Sequence, residues 1–292
     1  MQSPQRADWL LLLSCVLIWG SSFILMKKAL VVFAPNEVAA LRLASAGLCL
    51  VPFAGQALRR RRDWPWASIA LSGLTGNFVP AFLFALALTR VESGTSGALN
   101  SLTPLWVLAL GVLFFGRRAR VAQVLGVLLG WGGAVLLLML RPPNASPADN
   151  QLSYGLLIVA ATALYGFNTN FVKTRLSHLP ALSFTALALG LWAVPAGAYL
   201  LAVPLEARLA QAGGPEAFAA ALVLGCVGTA FALVLFFTLL RRADALFAAS
   251  VTYLMPVVAL GWAVADGERL GLLHGLGLLL ILGGVWLANR PQ

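Results

Sequence analysis

The chain alternates long uncharged stretches with short charged ones. Runs without Asp, Glu, Lys or Arg cover residues 9 to 26, 64 to 89, 93 to 116, 121 to 140, 150 to 172, 176 to 205, 217 to 240, 245 to 265 and 270 to 289. Each is long enough to cross about 30 Å of hydrocarbon as a helix. A further stretch, 38 to 58, is interrupted only by Arg42 and brings the expected count to ten transmembrane helices in an all-α membrane protein. Little chain is left for connections, which excludes a soluble domain of any size, a large extramembrane enzyme and a nucleic-acid module. The first run follows Arg6 and Asp8 and ends at Lys27 and Lys28 with no small-residue cleavage site after it, so it reads as a retained span and not a signal peptide.

Composition agrees: of 292 residues 60% are apolar and 10% charged, well under half the charge of an average soluble domain. The net charge of +10 would suggest a polyanion partner in a soluble protein. Its distribution points elsewhere. With a cytoplasmic N-terminus, the inside segments hold Arg6, Arg59 to Arg62, Arg117, Arg118, Arg120, Lys173, Arg175, Arg241, Arg242 and Arg290, 13 in all. The outside segments hold Lys27, Lys28, Arg90, Arg141, Arg208 and Arg269, which is six. Such a bias over short loops orients a membrane protein and places both termini in the cytoplasm. Nucleic acid is therefore not an expected partner. Cys15, Cys49 and Cys226 fall inside spans, without metal-ligand or disulfide spacing, and read as packing residues.

Self-comparison reveals a repeat. A shift of 152 residues aligns Gly73 with Gly225, Gly76 with Gly228, Phe84 with Phe236, Arg90 with Arg242, Glu92 with Asp244, Pro104 with Pro256 and Arg117 with Arg269. Gly132 and Gly133 meet Gly283 and Gly284 one deletion later, and a shift of 146 pairs Trp19 and Gly20 with Tyr165 and Gly166, and Lys27 with Lys173. Residues 1 to 143 form the first five-helix repeat, 144 to 153 a linker, and 154 to 292 the second. Five is odd, so the second repeat is expected to enter the membrane from the opposite side. Inverted repeats of this kind expose one site to either side in turn, the geometry of alternating access.

Trp19-Gly20-Ser21-Ser22-Phe23 followed by Lys27, the span from Ser101 through Pro104 to Gly116, and Leu254-Met255-Pro256 leading to Gly267-Glu268-Arg269-Leu270 and Gly283-Gly284-Val285 resemble the EamA repeats of the drug/metabolite transporter superfamily. Within it the chain is similar to the ten-span amino-acid exporters of the YddG type. Two departures stand out: Gly116-Arg117 in the first half where the second has Gly-Glu, and Tyr165 where the pattern has Trp. The resemblance implies a multi-pass protein of the inner (plasma) membrane, with spans one to four and six to nine around a central cavity and spans five and ten at the periphery.

The polar and aromatic residues inside the spans are the expected pathway lining. They are Trp19 and Ser22 in the first span, Asn77, Phe78 and Phe82 in the third, Asn100 and Ser101 in the fourth, Tyr165 and Asn168 in the sixth, and Thr252 and Tyr253 in the ninth. Polar groups at this depth need partners and face a bundle interior or a wet cavity, although Ser, Thr and Asn also join helices to one another. Pro104 and Pro256 free carbonyls of the preceding turn and are expected helix breaks or gates. Arg42, the one charge well inside a span, is expected at the outer mouth, with snorkelling to the surface as the plain alternative. Lys27 and Lys173 read as interface anchors, and the matched glycines as points of close helix approach, within the chain or in a homodimer.

All ten acidic residues fall in loops or near span ends. No carboxylate is placed at the midplane for proton coupling or as a counter-ion to bulky cations. Paired intramembrane acids, a Ser/His couple, a metal cluster and a phosphate loop are all missing from the sequence, so neither an enzyme nor a cofactor is expected. The residues together predict a secondary transporter of small amphipathic metabolites, foremost aromatic or other neutral amino acids, uncoupled or weakly coupled. Export of drugs, nucleosides or organic cations is the alternative.

Overall fold

The computed structural model describes residues 5 to 60, 63 to 116, 118 to 140, 151 to 242, 245 to 268 and 271 to 288. The chain forms α1 (Arg6–Ala29), α2 (Pro35–Arg60), α3 (Trp66–Ala87), α4 (Ser93–Phe114), α5 (Val121–Met139), α6 (Gln151–Phe171, continued by a π turn, Val172–Leu176), α7 (Ala181–Leu201), α8 (Gly214–Phe236, running on to Arg242), α9 (Ala245–Ala265) and α10 (Leu272–Ala288). Helices are the open-chain solution in hydrocarbon because each satisfies its own backbone hydrogen bonds. Among the described residues eight are long and apolar enough to cross a membrane, and two apolar stretches, Leu254–Ala265 and Leu272–Ala288, are shorter. The 17 residues of α10 extend about 25 Å at about 1.5 Å per residue, the lower end of a spanning length.

The repeats are interleaved. α1 packs on α8 and α9, while α6 packs on α3 and α4; α2 lies along α7, and α5 along α10. Individual contacts recur with the halves exchanged. Gly76 of α3 lies against Asn168 of α6, and Gly228 of α8 against Ser22 of α1. Gly166 abuts Trp106, as Gly20 abuts Val258. Gly126 packs on the Gly284 backbone and Gly133 on that of Gly277. These are the residue matches found by shifting the sequence, now seen as reciprocal contacts, and they mark a repeated structure.

Two features carry the repeat into the backbone itself. α3 contains a π turn at Leu74–Phe78 and α8 one at Cys226–Phe231, starting at positions 152 residues apart. π turns insert a residue into the helical ladder and concentrate at functional sites. α4 and α9 are each followed by a glycine in the left-handed region, Gly116 at φ 66° and Gly267 at φ 84°. A side chain there would be strained. After α9 the turn closes with the Gly267 N–H on the Val264 carbonyl and the Glu268 N–H on that of Ala263.

That turn delivers Glu268 to a clasp. Its carboxylate accepts from Lys27 Nζ of α1 (2.8 Å), from the Ser93 N–H and hydroxyl, and from the Gly94 N–H at the start of α4 (3.1 Å). Asp266 lies 2.6 Å from the same ammonium. Lys27, read from the sequence as an anchor, thus joins α1 to α4 and α9. Near the other end of α1, Asp8 accepts from Arg242 Nε at 2.8 Å. Burial pushes the Glu268 carboxyl up, but the Lys27, Ser93 and Gly94 donors outweigh it and hold the group below its usual value of 4.5. A depressed carboxyl stabilises the fold above its unfolded pKa and loses that contribution as pH falls through the folded value. Thermal midpoints measured from pH 7 to 3 should therefore drop below about pH 4.5 in the wild type, and less steeply in Glu268→Gln.

Candidate transport site

Trp19, halfway along α1, turns its indole N–H to the Gly228 carbonyl inside the π turn of α8 (3.1 Å), and its ring rests on Phe236 at 5.1 Å. Ser22, one turn on, is buried against Gly228 and donates to the Ile18 carbonyl at 3.0 Å. The close approach depends on glycine: a methyl at Gly228 would press on the serine hydroxyl. On the other side of the bundle, Asn168 of α6 lies over Gly76 in the π turn of α3, and its Oδ1 is buried without a hydrogen-bond partner among the described residues. Asn77 and Phe78 belong to that same turn and are half-buried. The Phe78 ring contacts Phe82 at 5.0 Å and Trp192 of α7 at 4.6 Å, while Trp192 Nε1 donates to the Ala70 carbonyl at 2.8 Å.

Arg42 joins these two sides. Its Nε donates to Thr229 Oγ1 in the α8 π turn at 2.9 Å, and Tyr165 of α6 lies near its guanidinium. Tyr165 in turn stacks on Phe84 at 6.1 Å, and Phe84 on Phe23 at 6.0 Å. α2 and α8 run in the same direction, since Phe33 meets Phe218, Gly225 meets Arg42 and Ser45, and Cys226 meets Ser45 in that order. Thr229 lies one turn beyond Gly225. The Arg42 head therefore reaches deeper into the bundle, away from the Pro35 end, and does not snorkel outward. Among the described residues it has no carboxylate partner; Glu37, the nearby acid of α2, accepts from Arg208 at 3.0 Å and from the Ala34 N–H at 2.8 Å. A cation at such depth costs about 2.5 to 3.5 kcal/mol on insertion scales, which packing alone does not explain.

α4 is interrupted: Ser93–Asn100 and Thr103–Phe114 flank a turn at Ser101 and Leu102. Pro104 has no N–H for the Asn100 carbonyl, which accepts instead from the Thr103 hydroxyl at 2.8 Å. Asn100 is half-buried at this turn; Ser101 is fully buried and its hydroxyl lacks a hydrogen-bond partner among the described residues. The equivalent break expected at Pro256 is absent, and α9 continues through it as one helix. Proline there removes one N–H from the ladder without ending the helix. Thr252, four residues earlier, is half-buried, and the Tyr253 side chain lies outside the described residues.

Trp19, Ser22, Asn77, Phe78, Phe82, Tyr165 and Asn168 thus gather around the two π turns, whereas Asn100 and Ser101 sit at the α4 break. Thr229 and Trp192 are not singled out by the sequence, and Phe84 is marked there only as the repeat match of Phe236. Thr229 is the repeat mate of Asn77 at the 152-residue shift, and that match was the available signal. Among the described residues no group of His, Cys, Asp and Glu could hold a metal ion.

A helical membrane protein with a doubled polar and aromatic site between its repeats is the architecture of a transporter. The EamA-like transporter family matches residues 7–139 and 152–290, and the chain belongs to that family. It is 27% identical over 304 residues to a chloroplastic WAT1-related protein of Arabidopsis thaliana, covering 98% of this chain and 70% of that protein. It is 25% identical over 290 residues to an uncharacterized transporter of Archaeoglobus fulgidus, covering 97% and 99%. A probable amino-acid metabolite efflux pump of Salmonella typhimurium is 26% identical over 290 residues, covering 97% and 94%. A solved crystal structure shares the fold at a TM-score of 0.65 and 21% identity, covering 98% of this chain and 97% of the other. The protein is a multi-pass membrane transporter, not an enzyme.

Proposed function

We propose that the protein is a secondary carrier in the plasma membrane that moves small zwitterionic or neutral amphipathic metabolites, foremost aromatic or other neutral amino acids, by alternating access. The observation that carries this reading is the pair of equivalent π turns with neutral polar and aromatic groups converging on them from both halves: Trp19 and Ser22 at one, Asn77, Phe78 and Asn168 at the other. Reciprocal contacts between the halves fit inverted repeats related by an axis in the membrane plane, with both termini cytoplasmic. Exchange of the two half-conformations would then open one site to each side in turn. The resemblance to a probable amino-acid metabolite efflux pump supports the substrate class. Transport follows the substrate gradient, because the buried acid side chains Asp8, Glu37 and Glu268 are already spent in ion pairs near helix ends.

The test is a counterflow screen in proteoliposomes with amino acids, nucleosides, sugars and organic cations. Neutral amino acids should exchange, saturably and without response to an imposed pH gradient. A response to organic cations alone, or accumulation driven by pH alone, would overturn the reading. Asn168→Ala removes the side chain over the α3 π turn and should change the order of preferred amino acids by about tenfold in relative half-saturation, a loss of one to two hydrogen-bond equivalents, with unchanged membrane abundance.

A further inference from the structure

Arg42 is a guanidinium drawn into the bundle, where it donates to Thr229 Oγ1 of α8, lies near Tyr165 of α6 and, among the described residues, meets no carboxylate. Three helices from both halves thus meet at one cation. Its residue is half-buried and so keeps some accessible surface. A guanidinium has five N–H donors in a planar fork, and one hydroxyl at Nε leaves donors to spare. Every described acid that could neutralise it is otherwise engaged: Glu37 with Arg208, Asp8 with Arg242, and Asp266 and Glu268 with Lys27. A structural arginine at this depth would be expected to carry its counter-ion with it.

We propose that the Arg42–Thr229–Tyr165 cluster is the anion subsite of the transport pathway, and that it receives the carboxylate of the cargo. The carboxylate supplies the missing counter-charge and the fork geometry favours it over a point anion. Thr229 sets the fork, since its hydroxyl accepts from Nε and leaves the two terminal nitrogens to a ligand. Tyr165 offers a second hydroxyl and, through its stack on Phe84 and Phe23, begins an aromatic wall for the apolar part of the same molecule. The cluster repels organic cations that lack an acid group. It also lies on helices of opposite halves, so filling it rewards the conformation in which α2, α6 and α8 converge. This inference rests on the carrier reading but makes a narrower demand, that the carboxylate and not the amine is the indispensable group.

The test uses three matched probes, L-phenylalanine, 3-phenylpropionate and phenethylamine, as competitors of phenylalanine counterflow and as ligands in thermal-shift assays of the purified full-length protein. The wild type should respond to the first two and not to phenethylamine. Arg42→Met should raise the half-saturating concentration of both carboxylates by roughly thirtyfold or more, the usual cost of removing one member of a buried charge pair. Arg42→Lys, which keeps the charge without the fork, should recover part of the loss, and Thr229→Val should fall between. Arg42→Met keeps the length and packing of the stem while giving up the Thr229 hydrogen bond; if it does not purify, the three probes on the wild type decide alone. Phenethylamine competing as well as the two carboxylates overturns the anion subsite and leaves the carrier standing. No counterflow of any probe overturns the carrier reading and the subsite together.

Discussion

Gly126→Leu should lower the thermal midpoint of the detergent-solubilised protein by about 3 to 10 °C, the shift expected for overpacking of about 1 to 3 kcal/mol. α5 and α10 meet along matched glycines, with Gly126 against the Gly284 carbonyl and the Ala288 backbone, and Gly133 against the Gly277 carbonyl. No flexible side chain stands there to yield; backbone must move. In hydrocarbon there is no apolar driving force to hold helices together, so close packing and the contacts it permits supply the association. Gly132 and Gly275 lie on the same two helices with nothing near their missing side chains. Gly132→Ala and Gly275→Ala should leave the midpoint unchanged or raise it, since alanine gains up to about 1 kcal/mol in helix propensity. Equal damage from all three substitutions would show that α5 and α10 do not pack through their matched glycines.

Trp19→Phe should slow transport about tenfold while Trp262→Phe changes it less than about twofold, a difference that follows from the cost of about 1 to 3 kcal/mol for leaving a buried carbonyl unpaired. Both tryptophans donate an indole hydrogen bond, Trp19 to the Gly228 carbonyl at 3.1 Å and Trp262 to the Ser21 hydroxyl at 2.8 Å. Trp262 is exposed, and its partner Ser21 already donates to the Leu17 carbonyl, so loss of the indole N–H leaves no buried carbonyl unpaired. Trp19 reaches the π turn itself, and phenylalanine keeps the ring against Phe236 while surrendering the tie that fixes the turn. Initial rates of counterflow, normalised to reconstituted protein, make the comparison.

The spans and the repeat were written in the sequence because they rest on coarse physics. Uncharged runs of about twenty residues are what hydrocarbon demands, and Gly73, Gly76, Gly225 and Gly228 stood out against a background in which leucine matches carry no information. The same glycines turn out to flank or occupy the π turns. Their spacing showed that something was repeated there without showing what, since a π turn has no side-chain signature and is settled by neighbours such as Trp19 and Trp192. Pro104 and Pro256 illustrate the same limit. Identical chemistry broke α4, where Ser101 and Leu102 had already left the ladder, and was absorbed by α9.

Arg42 was visible as an anomaly, yet its direction was not. A long stem can carry its charge either way along a helix, and only the register of α2 against α8 places the guanidinium beside Thr229 rather than at the surface. The Lys27 clasp is illegible in the sequence for a related reason. Its partners Asp266 and Glu268 are more than two hundred residues away in sequence, and no local pattern connects them.

The most direct test of the pathway between the two π turns is side-specific labelling. In protein with Cys15, Cys49 and Cys226 replaced by serine, Asn77→Cys and Thr252→Cys would each be exposed to a membrane-impermeant thiol reagent from one side of the proteoliposome at a time. A carrier with one site between its halves predicts that both positions react from either side and that L-phenylalanine slows both reactions. Failure of either position to react from both sides, or equal rates with and without the amino acid, would contradict it.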